Sequence, residues 1–230
     1  MSEKLFILGR QGKPVAAASA ASLGPADPFA SGRRITFQDM AGFSGGHVAF
    51  SGEATIPRLP HAEVIVLVSG ALAVDGESFA RGQALVLPKG FAGTVKAPPG
   101  TLWFFNAMTA GDPATESRLI RLDPALARAA SPGPAPEVVV GAAPSCHSLN
   151  LFTDPSAMRA GVWDVMTPCE RTFVNHRVHE LMHLIEGEVR LTHRDGTAEV
   201  IRAGDTILIP RGAPYAWKSE SPVVKYYVVL

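Results

Sequence analysis

Apolar residues in this chain come in short runs punctuated by Gly and Pro. Val64-Ile65-Val66-Leu67-Val68 is rich in β-branched residues and stops at Ser69-Gly70, which predicts a strand. Thr206–Ile209 and Val223–Leu230 have the same character. Asp75-Gly76 and Asp195-Gly196 are dipeptides that permit positive φ in tight hairpins. Many short strands with Gly and Pro between them predict an all-β sandwich or barrel.

The pattern occurs twice. Phe37, Asp39 and Gly46 recur 115 residues on, at Phe152, Asp154 and Gly161. Glu63 and Gly70 recur 117 residues on, at Glu180 and Gly187, and Asp75-Gly76 recurs after 120. Gly82, Pro88 and Gly90 match Gly204, Pro210 and Gly212 at 122, and Trp103-Phe104-Phe105 falls opposite Lys225-Tyr226-Tyr227 at the same offset. The offset only grows, as insertions in loops would make it. The division expected is an N-terminal extension (1–32), a first copy (33–106), a linker segment (107–147) and a second copy (148–230). Within the linker, Ala129–Pro136 holds three prolines and a glycine and suits neither a regular helix nor a central strand. Asp123 before Pro124 predicts a short helix over Pro124–Ala130. Ala16–Ser22 reads as a short helix or a poorly ordered run.

With 47% apolar and 18% charged residues, the 230-residue chain has ample material for a core. The 21 basic and 21 acidic side chains cancel. No basic stripe points to nucleic acid and no basic amphipathic helix to a membrane surface. Cys146 and Cys169 form neither a CxxC pair nor a zinc spacing, which suits two reduced thiols in a cytoplasmic protein. Cys169 is expected in a loop.

Two segments of the second copy carry a resemblance. Glu180-Leu-Met-His-Leu-Ile-Glu-Gly187 resembles the first cupin motif, and Gly204-Asp-Thr-Ile-Leu-Ile-Pro-Arg-Gly212 resembles the second. Glu63–Gly70 and Gly82–Gly90 are worn versions of both. The chain is similar to the branch of bicupins that includes ethanolamine-utilisation cupins and ureidoglycine aminohydrolases. The resemblance implies two tandem double-stranded β-helix (jelly-roll) modules. It also implies a divalent transition metal, Mn, Fe, Ni or Zn, held by imidazole and carboxylate in the second module. At the ligand places this sequence has Val174, His176 and Glu180, with Tyr215 from the second motif. His176 and Glu180 are therefore the candidate metal ligands. Without a metal, His176, Glu180 and Tyr215 are candidates for acid–base work or ligand anchoring.

Alternation along a strand would put Val174, His176, Val178, Glu180 and Met182 on one inward face. Arg177, His179, Leu181 and His183 would then pack outside or at an interface. Trp163, Met182, Trp217 and Lys218 are expected around the pocket mouth, since aromatic walls with a few polar groups suit a small molecule. In the first copy, Glu63 and His61 are the corresponding ligand contacts, while Leu59 and Gly93 replace His176 and Tyr215 and cannot ligate. That copy is expected to be structural or to bind a ligand without metal. His47, His147 and His193 read as surface or loop residues. A homodimer is expected, two-fold pairing being common.

Three functions fit these residues: a small-molecule-binding cupin acting as hydrolase or isomerase of a polar metabolite, a metal-dependent aminohydrolase, or a non-enzymatic sensor or assembly protein with filled pockets.

Overall fold

A computed structural model describes residues 4–113, 117–166 and 168–230. The described residues form strands and one 3₁₀ turn at Pro136–Val138, so the all-β expectation holds. No helix among them is long and apolar enough to cross a membrane.

The first half opens with β1 (Phe6–Arg10), β2 (Lys13–Pro14) and β3 (Ser19–Ala20). Then come β4 (Arg33–Gln38), β5 (Phe43–Ile56), β6 (Ala62–Ser69), β7 (Ala71–Val74), β8 (Glu77–Ala80), β9 (Ala84–Leu87) and β10 (Gly93–Met108). Between the halves lie β11 (Ile120–Leu122) and β12 (Ala129–Ser131). The second half has β13 (Cys146–Thr153), β14 (Arg159–Val165), β15 (Cys169–Asn175), β16 (Glu180–Glu186), β17 (Glu188–Thr192), β18 (Ala198–Arg202), β19 (Thr206–Ile209), β20 (Pro214–Ser219) and β21 (Val223–Val229).

Strand pairing in the first half recurs in the second. Gly46 lies opposite Phe105 and Gly161 opposite Tyr227. Glu63 lies opposite Leu87 and Glu180 opposite Ile209. The two repeated glycines have one cause. A Cβ at Gly46 would stand 2.0 Å from the Arg34 carbonyl oxygen, and one at Gly161 2.0 Å from that of Leu149.

The sheet order is β11-β9-β6-β10-β5-β4-β3 in the first half, with β7 and β8 attached through β10. The second half uses β12-β13-β14-β21-β16-β19-β1-β2 and a four-stranded sheet, β15-β20-β17-β18. The segments read as an extension and a linker are thus built into sheets. β1 leaves the first half to pair with β19, with Phe6 opposite Leu208. β11 pairs with the matching strand β9, with Ile120 opposite Val86.

The short helix expected at Pro124–Ala130 is absent, and Ala16–Ser22, read as a short helix or a poorly ordered run, holds no helix. Residues 124–126 make a turn, and Ala129–Ser131 pair at a sheet edge with β13. Ser19–Ala20 form a short strand against β4. Neither segment has an apolar stripe to bury as a helix, whereas each finds an open strand edge.

Three apolar clusters result. Ile65, Leu67, Leu85, Trp103 and Phe105 pack inside the first half. Met182, Leu184, Ile207, Tyr215 and Trp217 pack inside the second. Val64, Val66, Phe104, Leu181, Leu208 and Tyr226 pack between the halves. β6 is buried on both faces, which explains its unbroken apolar run.

Candidate functional site

Glu180 begins β16, flanked by β19 and β21, and its side chain is buried. Lys225, on β21 opposite Trp163, donates from Nζ to Glu180 Oε1 at 2.7 Å. The same ammonium lies 4.8 Å from the Trp163 ring and 5.6 Å from that of Trp217, and the two indoles meet edge to face at 6.2 Å. A desolvated cation is stabilised by a carboxylate and by aromatic faces together. Burial pushes the Glu180 carboxyl up, but the Lys225 ammonium and the His176 ring outweigh it and hold it at about 2. Glu180 is therefore a carboxylate at neutral pH and an acceptor only.

His176 does not share a strand with Glu180. It lies in the turn between β15 and β16, where the chain passes from one sheet to another, so the alternation drawn through 174–182 breaks there. Its backbone is pinned: its N–H donates to the Ala213 carbonyl at 3.0 Å, and the Gly212 N–H donates to its carbonyl at 2.7 Å. The ring reaches both neighbours. Nδ1 is 3.2 Å from the Tyr215 hydroxyl, and Nε2 is 3.0 Å from Glu180 Oε2. The second contact is close but badly aligned, and buried Nε2 has no hydrogen-bond partner. Burial raises the Tyr215 phenol well above its ordinary range, Glu180 adding to this and Arg171 opposing it. A phenol that stays protonated can donate to Nδ1, leaving the imidazole proton on Nε2 beside Glu180.

Two cavities open on this group. One of about 560 Å³ is bordered by His176, Val174, Arg171, Arg177 and Glu137. Another of about 370 Å³ is bordered by Glu180, Lys225, Trp163, Tyr227, Ser148 and Ser131. The Pro-rich segment 131–138 contributes wall to both. It is fastened to β15: the Val140 N–H donates to the Glu170 carbonyl at 2.8 Å, and the Thr172 hydroxyl donates to that of Val138 at 3.4 Å. Arg171 also stacks on Tyr215, 4.4 Å from the ring centre.

Residues 154–227 match the EutQ-like cupin domain. A solved structure from Pseudomonas syringae pv. tomato, a protein of unknown function in the DUF861 family, is 34% identical over 98% of this chain and 99% of its own, with a TM-score of 0.91. The chain belongs to the DUF861 family, within the cupin superfamily. More distant structures share the cupin's fold. A cupin 2 conserved barrel protein from Leptotrichia buccalis is 12% identical, covering 85% of this chain and 86% of its own, with a TM-score of 0.55. A salicylate 1,2-dioxygenase from Pseudaminobacter salicylatoxidans is 12% identical, covering 82% and 71%, with a TM-score of 0.51. No curated protein matches the sequence significantly.

In this cupin, the fold brings His176, Glu180, Tyr215, Trp163, Met182 and Trp217 together. Met182 and Trp217 are packed wall rather than open contact surface, the Met182 sulfur lying 3.5 Å from Lys225 Nζ. Lys218 does not join them. It is exposed and bridges Glu170 and Glu220 at 3.1 and 3.0 Å, because its side chain leaves β20 on the face opposite Trp217. Glu63 and His61 are sealed in the first half, where Glu63 Oε2 meets Arg33 Nη2 at 2.7 Å and His61 Nε2 at 2.9 Å. Cys169 is buried at the start of β15, not in a loop, and burial raises its thiol. His147 and His47 lie in β13 and β5 and are half-buried; His147 Nδ1 is 2.8 Å from Asp164 Oδ1.

The donor set does not fit the expected metal. No group of three or more His, Cys, Asp and Glu side chains among the described residues could hold one. Val174 supplies no donor, Tyr215 keeps its proton, and the Lys225 ammonium sits on the carboxylate a metal would need.

Two residues of the site, Lys225 and Arg171, do not emerge from sequence reasoning. Lys225 interrupts the apolar closing run Val223–Val228, and a lone charge in a strand otherwise fit for burial is its one signal.

Proposed function

We propose that residues 33–106 and 148–230 are two tandem jelly-roll modules, and that the second binds a small anionic metabolite without a bound transition metal. The observation that carries this is the placing of His176 at the border of a cavity of about 560 Å³, with Nδ1 3.2 Å from the Tyr215 hydroxyl and Nε2 3.0 Å from Glu180 Oε2. Arg171 and Arg177 border that cavity against the single carboxylate of Glu137, which favours a carboxylate-bearing ligand. With Tyr215 fixing one ring nitrogen and Glu180 beside the other, His176 is placed to move a proton, as a hydrolase or isomerase of a polar metabolite requires. The cavity argues against a sensor with filled pockets, and the donor set against a metal-dependent aminohydrolase.

The test is a thermal-shift screen of small carboxylic acids against the chain and its His176→Ala variant, with circular dichroism to show that the variant folds. A ligand at a hundred times its Kd stabilises by about 2.7 kcal/mol, a readily measured shift. The expected result is a ligand whose affinity falls at least about tenfold in the variant. An unchanged affinity in His176→Ala would sink the proposal.

A further inference from the structure

The two halves hold their buried glutamates by one scheme with one part exchanged. In the first half Arg33 lies opposite Val48, and Val48 opposite Trp103. In the second, Ser148 lies opposite Trp163, and Trp163 opposite Lys225. Trp103 Nε1 donates to Glu63 Oε1 at 3.1 Å, as Lys225 Nζ donates to Glu180 Oε1 at 2.7 Å. Arg33 then completes the first site: Nη2 donates to Glu63 Oε2 at 2.7 Å, and its guanidinium lies over the Phe105 ring, 4.4 Å from the centre. The second half keeps the carboxylate, Glu180, and the ring, Tyr227, at the matching positions. It has Ser148 where the arginine would be.

The arginine's place is open. The cavity of about 370 Å³ is bounded by Ser148, Glu180, Tyr227, Lys225 and Trp163. Its wall also includes Ser131, whose buried hydroxyl has no partner. Glu180 Oε2 has only the misaligned His176 beside it. The first half thus shows what shape fits: a flat group with N–H donors, laid over an aromatic ring and aimed at Oε2.

Charge decides the rest. Arg33 is balanced by two carboxylates, Glu63 and Asp27. Glu180 is already neutralised by Lys225, and Arg159 borders the cavity as a further cation. A guanidinium would bring an unmatched positive charge, and a carboxylate would set acceptor against acceptor at Oε2.

We infer that this cavity is a subsite for a neutral planar amide group, its N–H donating to Glu180 Oε2 and its plane lying over Tyr227. The inference rests on the reading of the second module as the ligand-binding half, and it assigns that ligand a second recognition element on the far side of Glu180.

Benzamide, benzamidinium and benzoate share one shape and differ in charge. Titrated against the full chain at neutral pH, with tryptophan fluorescence and calorimetry as readouts, benzamide is expected to bind saturably, and the binding of the two ions that Ser148→Arg removes to be about tenfold weaker or worse. Ser148→Arg should abolish benzamide binding by filling the subsite from within, while Ser148→Ala should retain it. Lys225→Met should turn the preference towards benzamidinium, because Glu180 then lacks a cation. No saturable benzamide binding, tighter binding of benzoate that Ser148→Arg abolishes, or an unchanged benzamide affinity in Ser148→Arg would each overturn the inference. If benzamide fails while a His176-dependent carboxylate ligand is still found, the subsite falls and the binding function stands.

Discussion

Arg33 and Lys225 hold equivalent carboxylates from different strands, each as a buried cation against aromatic rings. Arg33 is wholly buried, with two acids and two aromatic faces around it, Phe29 at 5.9 Å and Phe105 at 4.4 Å. Burial works against its charge, but Glu63 and Asp27 more than restore it. Truncating it would leave Glu63 and Asp27 as unpaired charges in the core. Arg33→Ala should therefore cost about 3–5 kcal/mol of stability in urea denaturation. A loss below about 1 kcal/mol would mean that water reaches the cluster. The internal repeat alone makes Glu63 and Glu180 legible as a matched pair. Their partners are not legible in the sequence, because Arg33 and Lys225 reach them from strands far away in the chain and only the pairing register decides which residue arrives.

At the scale of elements, the exchange of β1 and β11 ties the halves together. Each strand that precedes a half pairs with the other half, on matching strands β19 and β9. Gly9 lets β1 lie close, since a Cβ there would stand 2.0 Å from the Phe104 ring. Leu8, buried in the shared cluster, anchors the strand. Leu8→Ala should lower stability by about 2–5 kcal/mol, as a cavity in a packed core does. If it costs no more than an exposed Leu→Ala change, β1 is not held in place. The apolar run Leu5–Leu8 that overlaps β1 is visible in the sequence, but the strand's destination is not. Likewise Ala16–Ser22, read as a short helix or a poorly ordered run, and the short helix expected at Pro124–Ala130 give way to strand edges that sequence periodicity cannot reveal.

For the whole molecule, the cluster between the halves and the exchanged strands leave neither half with a complete core of its own. Heat should unfold the chain in one transition, with equal calorimetric and van't Hoff enthalpies; two resolved transitions would contradict this. Acid should weaken it in two stages. His183, between the halves with Nδ1 2.8 Å from the Thr206 hydroxyl, is lowered by burial from 6.5 to about 4, Asp205 opposing only in part. The unfolded chain thus binds more protons in that window, and stability falls as pH drops from 6.5 towards 4. Glu63 and Glu180, held at about 2 against an ordinary 4.5, remove more as pH falls from 4.5 towards 2. His47 and His179 are lowered by burial as well, so in urea titrations across pH His183→Gln should shrink the upper stage and leave the lower one unchanged; an unaltered upper stage would assign it to the other two.

While His176 and Tyr215 emerged only from the resemblance to the cupin motifs, periodicity, turn dipeptides and the internal repeat were enough to read an all-β chain, its strand centres and the two matched glutamates. These follow from local rules, since alternation and tight turns are properties of neighbouring residues. Folding alone determined which strands crossed between halves, that Lys225 would pair with Glu180, that residues 131–138 would wall the site, and that Ser148 would stand where the first half has Arg33. Each of these depends on contacts between residues distant in the chain, and such contacts exist only once the sheets have set their register.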